Sequence, residues 1–269
     1  GAVMADDTSE SPRGDASPST SSITPIDDPA SLTSLLASVS LSETTSPAPI
    51  LLDTIAECAK HLTVLIDRGD PVAVDFEGVS LSREGRLCLA QIASVDVTQP
   101  VFLVDVVKLG FDAFGKGKLG ALLQSATIVK LIFDCRSDRD ALFHQFGVTL
   151  QNVYDIQVVY CMRCDELAGF RVGRLKGLKA ALGDCPGLDF QRRTEIVKVK
   201  QTGAAAYADA ENGDAWEKRP LPHELIEYAA VDVQYLHLMY DEWKHFMKQG
   251  KMDTVVAKRK RKKGSARDF

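Results

Sequence analysis

No apolar run in this 269-residue chain approaches the roughly 18 residues that span a bilayer, and the N-terminus is acidic and Ser-rich where a signal peptide is basic and then apolar. These absences predict a soluble intracellular protein that makes no membrane contact. Histidine is scarce, with 5 residues that form no ligand cluster. Six cysteines (Cys58, Cys88, Cys135, Cys161, Cys164 and Cys185) are scattered through apolar segments of a large chain, which suits buried thiols in a reducing compartment better than a disulfide framework. Cys161 and Cys164 have zinc-ligand spacing, but neither a second cysteine pair nor a histidine pair accompanies them. Gly110 to Gly117 nearly spells a phosphate-binding loop, yet Gly117 stands where a hydroxyl should reach Mg²⁺, which argues against nucleoside-triphosphate binding. No internal repeat is present.

Positive charge is nearly missing from the first 50 residues, which hold 18 Ser or Thr, 6 Pro, 7 acids and the single base Arg13. That composition cannot bury enough surface to offset chain entropy, so residues 1–49 are expected to be a disordered acidic leader. Within it, Asp28-Pro29 could cap a short helix whose Leu32, Leu35, Leu36 and Val39 recur at helical spacing and could dock on a protein partner. At the other end, Lys258 to Lys263 is an unbroken basic run inside an expected flexible tail, 251–269. Such a run serves nuclear import or nucleic-acid contact, placing the protein in the nucleus, the cytoplasm or both. The overall net charge of -5 conceals these opposite ends.

Between the tails, 50–250 has the patterning of one α/β domain, and 45% hydrophobic residues suffice for a sizeable core. Asp53 or Thr54 caps a helix with Ile55, Cys58, Leu62, Leu65 and Ile66 on one face, and Gly69-Asp70 ends it. Val72 to Gly78, Leu87 to Ala93 and Val101 to Val104 read as three strands, too closely spaced for parallel crossovers and therefore an antiparallel meander. A helix near Leu119 to Leu123, a strand at Ile128 to Phe133 and a helix at Asp138 to Phe146 follow in βαβ style. Glu224 to Met247 is predicted as one long helix.

Asp75 and Glu77 lie two apart on a strand with apolar neighbours, so both project from one sheet face. Adjacent carboxylates on a largely buried strand repel and are costly to desolvate, which a divalent cation would relieve. Tyr228 and Asp232 stand at i, i+4 on a helix face, with Ala229 and Ala230 small enough for close approach to another element. A third carboxylate comes from Asp134, Asp138 or Asp140, which the pattern leaves undivided.

The segments Asp75-Phe76-Glu77-Gly78, Asp138 within Cys135 to Leu142, and Tyr228-Ala229-Ala230-Val231-Asp232-Val233 resemble the three motifs of the DEDD superfamily of 3′–5′ exonucleases, in the subgroup with tyrosine in the third motif. Ribonuclease D, the Werner helicase exonuclease domain and Egalitarian-like exonuclease-domain proteins share that pattern. The resemblance covers about residues 50 to 248. It extends to Phe146-Gly147, to Tyr154-Asp155-Ile156-Gln157, and to Trp216 with Arg219-Pro220-Leu221. It implies a ribonuclease H-like fold, a mixed five-stranded sheet flanked by helices.

It further implies that Asp75, Glu77, Asp138 and Asp232 hold two Mg²⁺ or Mn²⁺ ions, hard cations suited to oxygen ligands, while Tyr228 orients the attacking water. The implied activity is release of nucleoside 5′-monophosphates from the 3′ end of single-stranded RNA or DNA, with RNA the first expectation. A nucleic-acid-binding or adaptor module on the same fold is the alternative. Phe76 and Gly78 occupy positions that contact the terminal nucleotide in the family, although Phe76 lies on the strand face opposite the acids, where a core role is expected. Arg171, Arg174, Lys176 and Lys179, and Arg192, Arg193, Lys198 and Lys200 in a stretch expected to be irregular, are candidates to neutralise phosphates.

Overall fold

The computed structural model describes residues 47–170, 173–208 and 214–246; residues 1–46 of the leader, Arg171 and the basic tail lie outside them. Six strands form one mixed sheet in the order β1-β4-β3-β2-β5-β6. They are β1 (Ile50–Leu52), β2 (Val72–Val79), β3 (Arg86–Ser94), β4 (Phe102–Asp105), β5 (Lys130–Ile132) and β6 (Val153–Asp155). The expected meander is present as antiparallel β2, β3 and β4. β5 and β6 add in parallel on one side. The sixth strand corrects the five-stranded expectation: Ile50–Leu52 pairs in parallel with β4, and three residues are too few for alternation to reveal.

Helix α1 (Ile55–Arg68) begins at an N-cap, with the Thr54 hydroxyl accepting from the Glu57 amide at 3.2 Å and donating to the Glu57 carboxylate at 2.8 Å. It stops where Gly69 adopts φ 69°, the left-handed conformation that a side chain disfavours. The short helices α2 (Val106–Leu109), α3 (Phe111–Phe114) and α4 (Leu119–Gln124) follow β4, so the glycine-rich Gly110 to Gly117 segment builds helix turns. Then come α5 (Arg136–Phe146), α6 (Ile156–Ala168), α7 (Leu178–Asp184), α8 (Phe190–Ala208), α9 (His223–Gln234) and α10 (Leu236–Trp243). Cys161 and Cys164 lie on α6, and neither is in a disulfide. Among the described residues no helix is long and apolar enough to cross a membrane.

Two expectations change here. Arg192 to Lys200 lie inside the 19-residue helix α8, whose sequence has no apolar stripe because only Ile196 and Gly203 are buried. The single helix from Glu224 is two, divided at Tyr235 (φ -109°, ψ 4°) with no proline or glycine to mark the break.

Each sheet face has its own core. Val72, Val74 and Phe76 of β2 pack with Leu62, Leu122 and Leu142 on one face. Ala73 packs with Tyr160, Trp216, Ala229, Ala230 and Trp243 on the other. The alternation along β2 therefore turns Asp75 and Glu77 toward the second face, where α9 lies.

That face is tied to the sheet by a buried ion pair. The Arg219 guanidinium grips Asp105 at 2.5 and 2.6 Å, with Asp105 only 1% exposed, and also donates to the Trp216 and Lys218 carbonyls. Removing one partner leaves a buried charge uncompensated. Arg219→Met is expected to cost about 3 kcal/mol in urea unfolding; a loss below about 1 kcal/mol would show that packing alone holds this segment.

Lys130 on β5 is 0% exposed and donates to the Ser125 and Ile128 carbonyls at 2.6 and 2.8 Å, and burial pulls its pKa from 10.5 down to about 8. Below pH 8 both folded and unfolded forms are protonated and the penalty is fully present. Between 8 and 10.5 the unfolded chain binds more protons, so stability rises with pH. Lys130→Met should abolish that rise, on the order of 3 kcal/mol, in the difference between the two unfolding curves across pH 7–11. Parallel curves would mean that Lys130 titrates alike in both states.

Candidate active site

The site grows from three local rules brought together by the sheet. Strand alternation puts Asp75 and Glu77 side by side, and the 3.6-residue helical turn puts Tyr228 and Asp232 on one face of α9. Ala229 and Ala230, 0% and 4% exposed, let that helix press on the sheet. The result is that carboxylate oxygens of Asp75, Glu77 and Asp232 all lie within 4.8 Å of one another. Asp138 joins from the first turn of α5, buried, its charge raising the pKa of both Asp75 and Glu77.

The neighbours of Asp138 are accounted for differently. Asp140 is held by Arg83, with contacts of 2.7 to 3.2 Å to its guanidinium and backbone amide, and Asp134 is paired with the Arg136 guanidinium. This division between three acids rests on the distant hairpin carrying Arg83, so local pattern could not make it.

Electrostatically the acids are undercompensated. Burial, then the charges of Asp232, Asp138 and Glu77, holds Asp75 well above the usual carboxylate range. Burial and the Asp232 charge push Glu77 up to about 8, with Lys200 pulling it down. Burial and the Asp134 charge raise Asp138 to about 7. Burial also raises Asp232, against the pull of Lys200. For Tyr228, burial and then the charges of Asp232, Glu77 and Asp75 raise the pKa, so the phenol keeps its proton at neutral pH.

The remaining candidates are placed apart. Phe76 is 4% exposed in the core of the opposite face, so it offers no surface to a nucleotide beside the acids. Gly78 sits at a β-bulge where a Cβ would come within 2.0 Å of the Arg86 carbonyl oxygen, a close approach that only glycine permits. Arg174 and Lys198 are exposed. Lys176 faces Asp184 at 3.8 Å and the Tyr160 ring at 5.6 Å, while Arg193 donates to the Cys185 carbonyl. Among the described basic candidates, Lys200 is the one that pairs with a cluster acid: its ammonium contacts Asp232 and stands 3.3 Å from the Tyr228 ring centroid.

Residues that escaped sequence reasoning surround this cluster. Gly203 of α8 faces Tyr228, where an added Cβ would come within 2.5 Å of the tyrosine Cβ. Its signal was a lone glycine before Ala204-Ala205-Ala206 within a helix, where glycine is otherwise a cost. Gln91, directly opposite Asp75 in the β2–β3 register, is 0% exposed, with neither amide atom hydrogen-bonded.

The oxygen donors and their unmet charge fit hard divalent ions such as Mg²⁺ or Mn²⁺. Residues 50–182 match the 3′–5′ exonuclease family model. Together with this fold, the match makes the chain similar to the DEDD-superfamily 3′–5′ exonucleases. Similar proteins include mouse "piRNA biogenesis protein EXD1", 31% identical over 64% of this chain and 28% of its own length. Ribonuclease D of Acidiphilium cryptum is 26% identical over 78% of this chain and 46% of itself. Among solved structures, Trypanosoma brucei RNase D with GMP superposes with a TM-score of 0.59 at 31% identity, covering 73% of this chain and 57% of that one. The same protein with RNA U12 gives 0.56 at 29%, over 73% and 62%. The chain thus spans less than half the length of these two curated relatives.

Proposed function

We propose that this chain is a metal-dependent exoribonuclease of the tyrosine subgroup, removing nucleoside 5′-monophosphates from the 3′ end of single-stranded RNA. The observation that carries the reading is the convergence of Asp75, Glu77 and Asp232 within 4.8 Å, with Tyr228 one turn before Asp232. Asp75, Glu77, Asp138 and Asp232 would hold two ions. When bound, those ions supply an activated water and charge stabilisation for an in-line displacement at phosphorus. The Tyr228 hydroxyl, whose pKa is raised by burial and then by the neighbouring acids, holds and orients the attacking water. RNA is favoured as substrate by the likeness to an RNase D seen with GMP and with RNA U12.

The test is incubation of the full chain with matched 3′-extended RNA and DNA oligonucleotides, 5′-labelled, with Mg²⁺, with Mn²⁺ or with chelator. A metal-dependent ladder shortening from the 3′ end, faster on RNA, is expected. Binding of both oligonucleotides without cleavage in either metal would instead establish a nucleic-acid-binding adaptor on the exonuclease fold.

A further inference from the structure

Lys200 occupies an unusual position for a lysine. Its side chain is 18% exposed, its ammonium contacts an Asp232 carboxylate that is itself 6% exposed, and the same ammonium lies 3.3 Å from the Tyr228 ring centroid. A solvated phosphate-binding lysine would keep its charged head in water and bury only its stem. Here the side chain is mostly covered, and the ammonium pairs with Asp232 and acts on Glu77.

The helix that brings it there is positioned for the purpose. α8 has no apolar stripe to hold it elsewhere, and it packs on α9 at Gly203 against Tyr228. From Gly203, Lys200 is three residues back, one helical turn, on the same face of α8. Ile196, one further turn back, is 4% exposed and anchors that face. The close approach at Gly203 thus sets how far the Lys200 ammonium reaches into the cluster.

We infer that Lys200 is an internal counter-ion for the cluster, standing in for a divalent cation at Asp232 and competing with it for that carboxylate. The inference rests on the metal reading of the site. Repulsion within the cluster is offset in the metal-free protein by the Lys200 ammonium at Asp232 and Glu77. An arriving ion must displace that ammonium from Asp232, which the flexible four-carbon stem of lysine allows. Lys200 is a positioning residue in this account, acting through Asp232.

Competition predicts a sign that a merely structural or substrate-binding lysine would not produce. In Mn²⁺ titrations of the full chain by calorimetry, after chelator treatment and without nucleic acid, Lys200→Met should bind Mn²⁺ roughly 5- to 150-fold more tightly than wild type, the range of a typical coupling between two bound groups. Lys200→Arg, which retains the charge, should stay within about threefold of wild type. Metal-free Lys200→Met should melt below wild type and gain more on Mn²⁺ addition, since ligand binding stabilises by its affinity. Mn²⁺ binding by wild type with equal or weaker binding by Lys200→Met overturns the inference and leaves the metal reading standing. No Mn²⁺ binding by wild type overturns both. Should Lys200→Met fold only with Mn²⁺ present, Lys200→Gln titrated by the same method decides by the same criterion.

Discussion

Asp75→Asn is expected to reduce RNA hydrolysis by at least about 10³-fold at saturating Mn²⁺ while leaving the protein folded. The substitution keeps side-chain volume and removes one anionic ligand from the proposed metal site, where bound ions would stabilise the transition state by several kcal/mol, about 1.4 for each tenfold. The metal-free protein should lose nothing in stability. Asp75 is held well above the usual carboxylate range by burial and by Asp232, Asp138 and Glu77, so neutralising it relieves a repulsion. A melting temperature equal to or above wild type, measured with chelator present, is the companion result. Near-normal turnover of the purified, folded variant would remove Asp75 from the catalytic set and with it the proposed site.

Tyr228→Phe should lower turnover by about 10²–10⁴-fold with Mn²⁺ affinity nearly unchanged. The change deletes only the hydroxyl. The ring stays against Gly203, near Trp216 and under the Lys200 ammonium, so packing and the cation–π contact survive. Because burial, and then the acids, raise the phenol pKa, its ionisation should not shape the pH profile near neutrality. Single-turnover rates on 3′-labelled RNA, set beside Mn²⁺ calorimetry, separate the two roles. Unchanged turnover would make Tyr228 a packing residue, and loss of metal binding together with turnover would make it a support for Asp232.

The strongest signals in the sequence were short-range ones. Asp75 with Glu77 obeys strand alternation and Tyr228 with Asp232 obeys the helical turn, so each pair was visible without knowing where the other lay. The α1 cap, narrowed to Asp53 or Thr54, its stop at Gly69 and the β2–β4 meander were legible for the same reason, since each is encoded within a few neighbouring residues. The helical character of α8 was not. A helix that buries only Ile196 and Gly203 carries no periodic stripe, and its residues look like a polar loop. The break at Tyr235 likewise has no proline or glycine to announce it.

By itself, then, the sequence determined the α/β class, the order of the acid-bearing segments and which residues share a face within each. Only the tertiary structure decided which acid of α5 turns inward, because Asp140 is claimed by the distant Arg83. Only tertiary structure, too, turned Lys200 from a solvated base into the partner of Asp232. The physical reason is common to both. A side chain's direction along its own strand or helix follows from backbone geometry, whereas the partner of a charge is whichever opposite charge the folded chain brings within reach, across 57 positions for Arg83 and Asp140.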